Sequence, residues 1–175
     1  GRNPLPLLRA IKNLCALVAD HDLRVIFRGT KLSNDLTNAI RSIGLGEIVQ
    51  FKEPIPYSES LDEMLKADAL LLLQGEIFNN QIPGKAYEYL RSGRPILALT
   101  HAQGETAELL RPYAGVFIAD MNDEDDIQNA LKNMLAYDGH SLSRNIECFS
   151  RRTTARQLAA LLDQVGQPKS ALAKG

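Results

Sequence analysis

The sequence predicts an α/β fold: a doubly wound, mostly parallel, Rossmann-like sheet. Three observations lead there. Helical and strand periodicities alternate from end to end, which implies right-handed βαβ units. The strand candidates are short and continuously apolar, as parallel strands covered on both faces are. One stretch, Ile82 to Leu99, reads in order as a helix start suited to an anion, a helix, a glycine stop and a buried strand.

Each element has its own local reason. Leu7, Leu8, Ile11, Leu14, Cys15 and Val18 recur at helical spacing, and Arg24 to Phe27 follows as a strand. Ser33 is placed to cap a helix reaching Ser42, which Gly44 and Gly46 end before the strand Ile48 to Phe51. Ser58 is placed to cap a helix from Glu59 to Ala67, and Ala69 to Leu73 is the most apolar strand candidate. In the central stretch Pro83 suits the first helical position, where a missing N–H costs nothing, and Gly84 lets a ligand approach the backbone. Lys85 and Glu88 share one helix face, while Ala86, Tyr89 and Leu90 form the face that packs on a sheet. Gly93 stops the helix, Arg94 and Pro95 turn the chain, and Ile96 to Leu99 reads as a central strand. A helix from Glu105 to Leu110, a strand from Gly115 to Ala119, a helix from Asp123 to Tyr137 and a long helix from Ser143 to Val165 complete the pattern. Residues 1–165 are read as one domain and residues 166–175 as a flexible tail.

Composition bounds the chemistry. The 175 residues are 45% hydrophobic, enough for the core of one ordinary domain. Twenty basic and twenty-one acidic residues leave a net charge of −1, so nothing global draws the chain to nucleic acid or an anionic membrane. No apolar run reaches transmembrane length and no signal peptide is visible. Cys15 and Cys148 have no metal-ligand spacing and read as buried thiols in a reducing compartment, which points to the cytoplasm.

In a doubly wound sheet, ligands bind beyond the carboxyl ends of the strands. That directs attention to the loops at residues 28–31, 52–58, 74–84 and 100–105. The run Ile82 to Leu99 is similar to the donor-binding stretch of GT-B glycosyltransferases, in particular the retaining family 4, or group 1, enzymes. Their pattern is roughly Pro-x-Lys-x-x-Glu-Tyr/Ala-x-x-x-Gly-x-Pro followed by an apolar run. Arg24 to Gly29, Leu65 to Leu71 and Gly104 to Leu109 resemble further segments of the same half of those enzymes. The resemblance implies a donor domain that binds a nucleotide diphosphate sugar, with the acceptor held by an N-terminal domain that this sequence does not contain. The family pattern places an apolar strand just before a run such as Gly1-Arg2-Asn3-Pro4, so the resemblance also implies that the first strand is missing and that the fragment alone is inactive. Membrane association of the full enzyme is left open.

Site residues follow from the resemblance, each beside a plainer reading. Glu88 resembles the second glutamate of a Glu-seven-residues-Glu motif, which contacts the ribose diol; the alternative is a solvated helix glutamate. The motif's first glutamate falls at Asn80, which puts sugar handling in question and leaves the catalytic residues unassigned. Asn79, Gln81 and the backbone of Ile82, Pro83, Gly84 and Lys85 would cradle the diphosphate at the helix N-terminus, with Lys85 neutralising it or standing as a surface lysine. Gly29 would let the nucleotide lie close to the backbone, and Arg28 would add positive charge or remain an ordinary surface arginine. Tyr57 or Ile55, in the proline-stiffened loop Lys52 to Tyr57, would stack on the base; a purely structural loop is the alternative. Arg2 resembles a basic residue aimed at the diphosphate in some relatives, although a surface arginine suits it equally well.

No cofactor and no metal are expected. Asp20-His21-Asp22 and Asp123-Glu124-Asp125 have bare Asp-x-Asp spacing but read as solvated acids, and His21, His101 and His140 lack paired ligands. The dinucleotide fingerprint Gly-x-Gly-x-x-Gly is absent. Two other readings stay beside glycosyl transfer: a non-catalytic nucleotide-binding or interaction module of the same fold, and a GT-B sugar-nucleotide epimerase relative.

Overall fold

A computed structural model describes residues 3–17, 23–30, 34–139 and 142–166. Arg2, Asp20-His21-Asp22, Lys31, Ser33, His140 and residues 167–175 of the expected tail lie outside the described residues. The chain divides into two compact units, Gly1–Arg144 and Asn145–Gly175.

The larger unit alternates helix and strand in the expected order. It runs α1 (Leu5–Leu17), β1 (Val25–Arg28), α2 (Asn34–Ile43), β2 (Val49–Lys52), α3 (Tyr57–Lys66) and β3 (Leu70–Leu73). A 3₁₀ turn at Glu76–Phe78 leads to α4 (Gly84–Ser92), β4 (Ile96–Leu99), α5 (Glu105–Leu110), β5 (Val116–Ala119) and α6 (Glu124–Leu135). Every strand pairing is parallel, in two ladders ordered β1-β2 and β3-β4-β5.

Among the described residues, β1 and β3 do not pair with each other. All of β1 and all of β3 line one cavity of about 1450 Å³, which Asn3, Pro4 and Leu5 at the start of α1 also border. Val25 and Gly29 donate their N–H groups toward the β2 side, and Leu70 and Gln74 donate toward the β4 side. Parallel ladders alternate, so the N–H groups of Ile26, Arg28, Leu71 and Leu73 are directed to the open edges.

The fold is wound on both faces. Leu7, Leu8, Ile11 and Leu14 of α1 share one core with Leu97 and Leu99 of β4 and with Ile127 and Leu131 of α6. All four residues of β4 are buried, as a central strand requires. Ile96 and Ala98 alternate to the opposite face, where α4 and α5 contribute buried Ala86, Leu90, Ala107 and Leu110.

Several boundaries differ from expectation for identifiable reasons. Helix α3 begins at Tyr57, with Pro56 rather than Ser58 at the cap; the Pro56 carbonyl already accepts the Ser60 N–H at 3.0 Å. Asp123 caps α6 as its side chain accepts the Asp126 N–H at 3.0 Å, and the acids after it complement the helix dipole.

The last helix, α7, starts at Arg151 rather than Ser143. Residues 142–144 are committed elsewhere within the larger unit. The Leu142 N–H donates to the Gly93 carbonyl at 2.8 Å, and the Arg144 guanidinium donates to Arg94 and Ala114 carbonyls at 3.0 and 2.9 Å. Burial pushes the Arg144 pKa below its ordinary value. In the smaller unit, a 3₁₀ turn at Glu147–Phe149 precedes α7 (Arg151–Gly166), and Ser150 accepts the Thr153 N–H at 3.2 Å to start that helix. Cys148 lies on the 3₁₀ turn and is exposed, which corrects its reading as a buried thiol; Cys15 is half-buried, and both are free.

Candidate functional site

The first turn of α4 is the centre of the candidate site, and its exposure has a local cause. Pro83, with φ −69° and ψ 141°, stands at the N-cap and Gly84 opens the helix, one residue later than the sequence suggests. No side chain caps this end, and a Cβ at Gly84 would meet nothing within 4 Å. Backbone donors at a helix start are therefore left beside open space, near the positive end of the helix dipole.

Helical spacing brings Lys85 and Glu88 together as expected, with Lys85 Nζ 3.0 Å from Glu88 Oε2. A third residue joins them from another element. Tyr57, at the start of α3 and 63% exposed, donates its hydroxyl to Glu88 Oε1 at 3.3 Å. Glu88 Oε2 is shielded from solvent and accepts no directed hydrogen bond, so the half-exposed Lys85 compensates it by charge alone. The adjoining Tyr89 hydroxyl has its pKa pushed up by burial, which outweighs the lowering by the Lys85 charge; the Glu88 charge adds a smaller upward push.

The loop leading to α4 carries the other expected donor-site residues. Asn79 accepts the Glu105 N–H on its carbonyl at 2.9 Å, while its side-chain Oδ1 is buried and without a hydrogen bond. Asn80 and the Gln81 side chain are exposed, and Ile82 is half-buried. The Gln81 carbonyl is the better-held group, accepting from Gln74 Nε2 at 2.6 Å and Thr106 Oγ1 at 3.1 Å.

Arg28 has a protein partner for its charge. Its Nε donates to Glu63 Oε2 at 2.8 Å, its Nη2 to Glu63 Oε1, and its Nη1 to the Glu53 carbonyl at 2.9 Å. The hydrogen bonds to Glu63 raise the Arg28 pKa and lower that of Glu63. Arg28 still borders the same cavity as Pro83 and Lys85. Gly29 follows it at φ +68°, a conformation that accounts for glycine there independently of any ligand.

Three polar residues of the site, Gln74, Thr100 and Thr106, escape the sequence reading. All are buried, at 3%, 0% and 0% exposure. The available signal is positional: Gln74 and Thr100 each close an uninterrupted apolar strand, where a polar side chain meets the carboxyl edge of the sheet. Among the described residues, no group of three or more His, Cys, Asp or Glu side chains could hold a metal ion. No described helix is long and apolar enough to cross a membrane.

No family model matches the chain, and no curated protein matches it. Among solved structures, it is similar to UDP-GlcNAc 2-epimerase from Methanocaldococcus jannaschii, with a TM-score of 0.53 and 14% identity over 91% of the present chain. The chain spans 40% of the length of that structure. Together with the parallel ladders and alternating helices, this likeness gives the fold as Rossmann-like, of the GT-B type.

Proposed function

We propose that the chain is the donor-side domain of a GT-B glycosyltransferase and binds a nucleotide diphosphate sugar at the start of α4. The observation that carries this reading is the convergence of Lys85, Glu88 and Tyr57 on an uncapped helix start with open space at Gly84. The diphosphate lies against the N–H groups of Gly84 and Lys85, and the Lys85 ammonium turns from Glu88 to it. Helix dipole and ammonium then stabilise the charge that grows on the leaving diphosphate as the sugar departs. Glu88, released from Lys85, accepts the two ribose hydroxyls, and Tyr57 offers its ring to the base. Asn79 lies beside the diphosphate, Asn80 lies on the sugar side, and a separate domain binds the acceptor.

A specific observation favours a second reading. The similar solved structure is that of a sugar-nucleotide epimerase, and the same cradle for a nucleoside diphosphate serves epimerisation as well as transfer. Titration of the folded chain with UDP, GDP and ADP, with and without chelator, tests what both readings share. Weak binding unchanged by chelator is expected, and no binding to any of the three overturns the site. With the acceptor-side domain joined, deuterium uptake from heavy water at C2 of UDP-GlcNAc identifies epimerisation, because that reaction must break the C2–H bond.

A further inference from the structure

We infer that Gln74 is a positioning residue that sets the path of the chain into α4 and thereby aims the backbone donors of the candidate site. What is positioned rests on the donor-site reading above; how it is positioned rests on the hydrogen bonds alone.

Gln74 stands one residue beyond β3, still in register with β4 through its N–H to the Leu99 carbonyl at 3.0 Å. Its side chain turns under the following loop. Nε2 lies 2.6 Å from the Phe78 carbonyl and 2.6 Å from the Gln81 carbonyl, so both hydrogens of the amide are used on one loop. At the other end, Oε1 accepts from Thr100 Oγ1 at 3.4 Å, the residue one beyond β4. The carboxamide thus ties two carbonyls three residues apart to the rigid carboxyl edge of the sheet. A carboxylate would repel both carbonyls, and a shorter amide would not span them.

The Gln81 carbonyl is the critical point of attachment. It accepts a second bond from Thr106 Oγ1 of α5, and it lies two residues before the Pro83 cap. Fixing the Gln81 peptide from two sides, with Pro83 restricted in φ next but one, determines where the N–H groups of Gly84 and Lys85 stand. Satisfying a buried glutamine elsewhere in a core would give stability without this consequence.

The test uses Gln74→Met, which preserves the length and volume of the side chain without its hydrogen bonds. UDP and uridine affinities are measured on the wild type and variant, together with backbone amide exchange in the absence of ligand. Faster exchange at Phe78, Gln81 and Ala86, whose N–H groups are paired within this segment, about tenfold weaker UDP binding and unchanged uridine binding are expected, because only the diphosphate reads the helix start. Wild-type UDP affinity, equal weakening for uridine, or unchanged exchange in that segment each overturns the inference. If the wild type binds neither ligand, the donor-site reading fails, and the exchange result still decides whether Gln74 holds the loop. Should Gln74→Met not fold, Thr106→Val removes the other tie on Gln81 and is expected to shift exchange and UDP affinity in the same directions; no shift overturns the inference.

Discussion

The Tyr57 hydroxyl donates to Glu88 Oε1 across 3.3 Å, joining residues 31 positions apart on two different helices. On the other carboxylate oxygen sits Lys85 at 3.0 Å. Glu88 is held by two polar side chains that a ligand can displace, both exposed by half or more. That arrangement orients the carboxylate while leaving it able to exchange partners.

Glu88→Gln is expected to weaken UDP binding about ten- to hundredfold, the loss of a charge-assisted hydrogen bond worth about 1.5–3 kcal/mol. UDP analogues lacking the 2′ and 3′ hydroxyls should bind both proteins alike. Calorimetric titration of the two ligands checks this; an equal loss for both removes Glu88 from the ribose.

The Glu63 pair predicts a pH dependence of stability. Arg28 holds the Glu63 pKa below the ordinary carboxylate value, so the folded state binds this proton less readily than the unfolded state. The stabilisation is complete above the unfolded pKa and is lost as pH falls through the lower folded value. Both partners are partly exposed, which keeps the effect small and salt-sensitive. Melting temperatures from neutral pH down into the acid range should converge for wild type and Glu63→Gln; a difference that persists at the acid end contradicts the assignment.

Gly93→Ala should destabilise strongly. Gly93 ends α4 at φ +71°, and an added Cβ would stand 2.6 Å from the Leu142 carbonyl oxygen. The left-handed backbone alone costs about 1–2 kcal/mol, and the clash with backbone adds to it. Gly46 is the control, since a Cβ there meets nothing within 4 Å. Denaturant midpoints should fall clearly for Gly93→Ala and stay near the wild type for Gly46→Ala.

The open edges of β1 and β3 should be visible in amide exchange. Ile26, Arg28, Leu71 and Leu73 are expected to exchange faster than Val25, Leu70 and Gln74, whose N–H groups are paired. An apolar strand joined ahead of α1 would meet the cavity at Asn3, Pro4 and Leu5, run parallel to both edges by the right-handed crossover rule, and protect those four amides. Protection without the added strand, or none with it, contradicts the two-ladder arrangement.

By itself the sequence determined what depends on neighbours along the chain. The period of apolar residues marks α1 and the buried strand β4; Gly93 marks the left-handed helix stop; the spacing of Lys85 and Glu88 places both on one face. These are consequences of helical and pleated geometry, legible within a few residues. The tertiary structure alone decided which polar groups meet. Arg28 finds Glu63, Tyr57 finds Glu88, and Gln74 gathers the Phe78 and Gln81 carbonyls. No periodicity marks such partners, because a polar side chain is matched by whichever donor or acceptor the packing of distant elements brings within about 3 Å, and the penalty for an unmatched buried group enforces the match only once the fold exists.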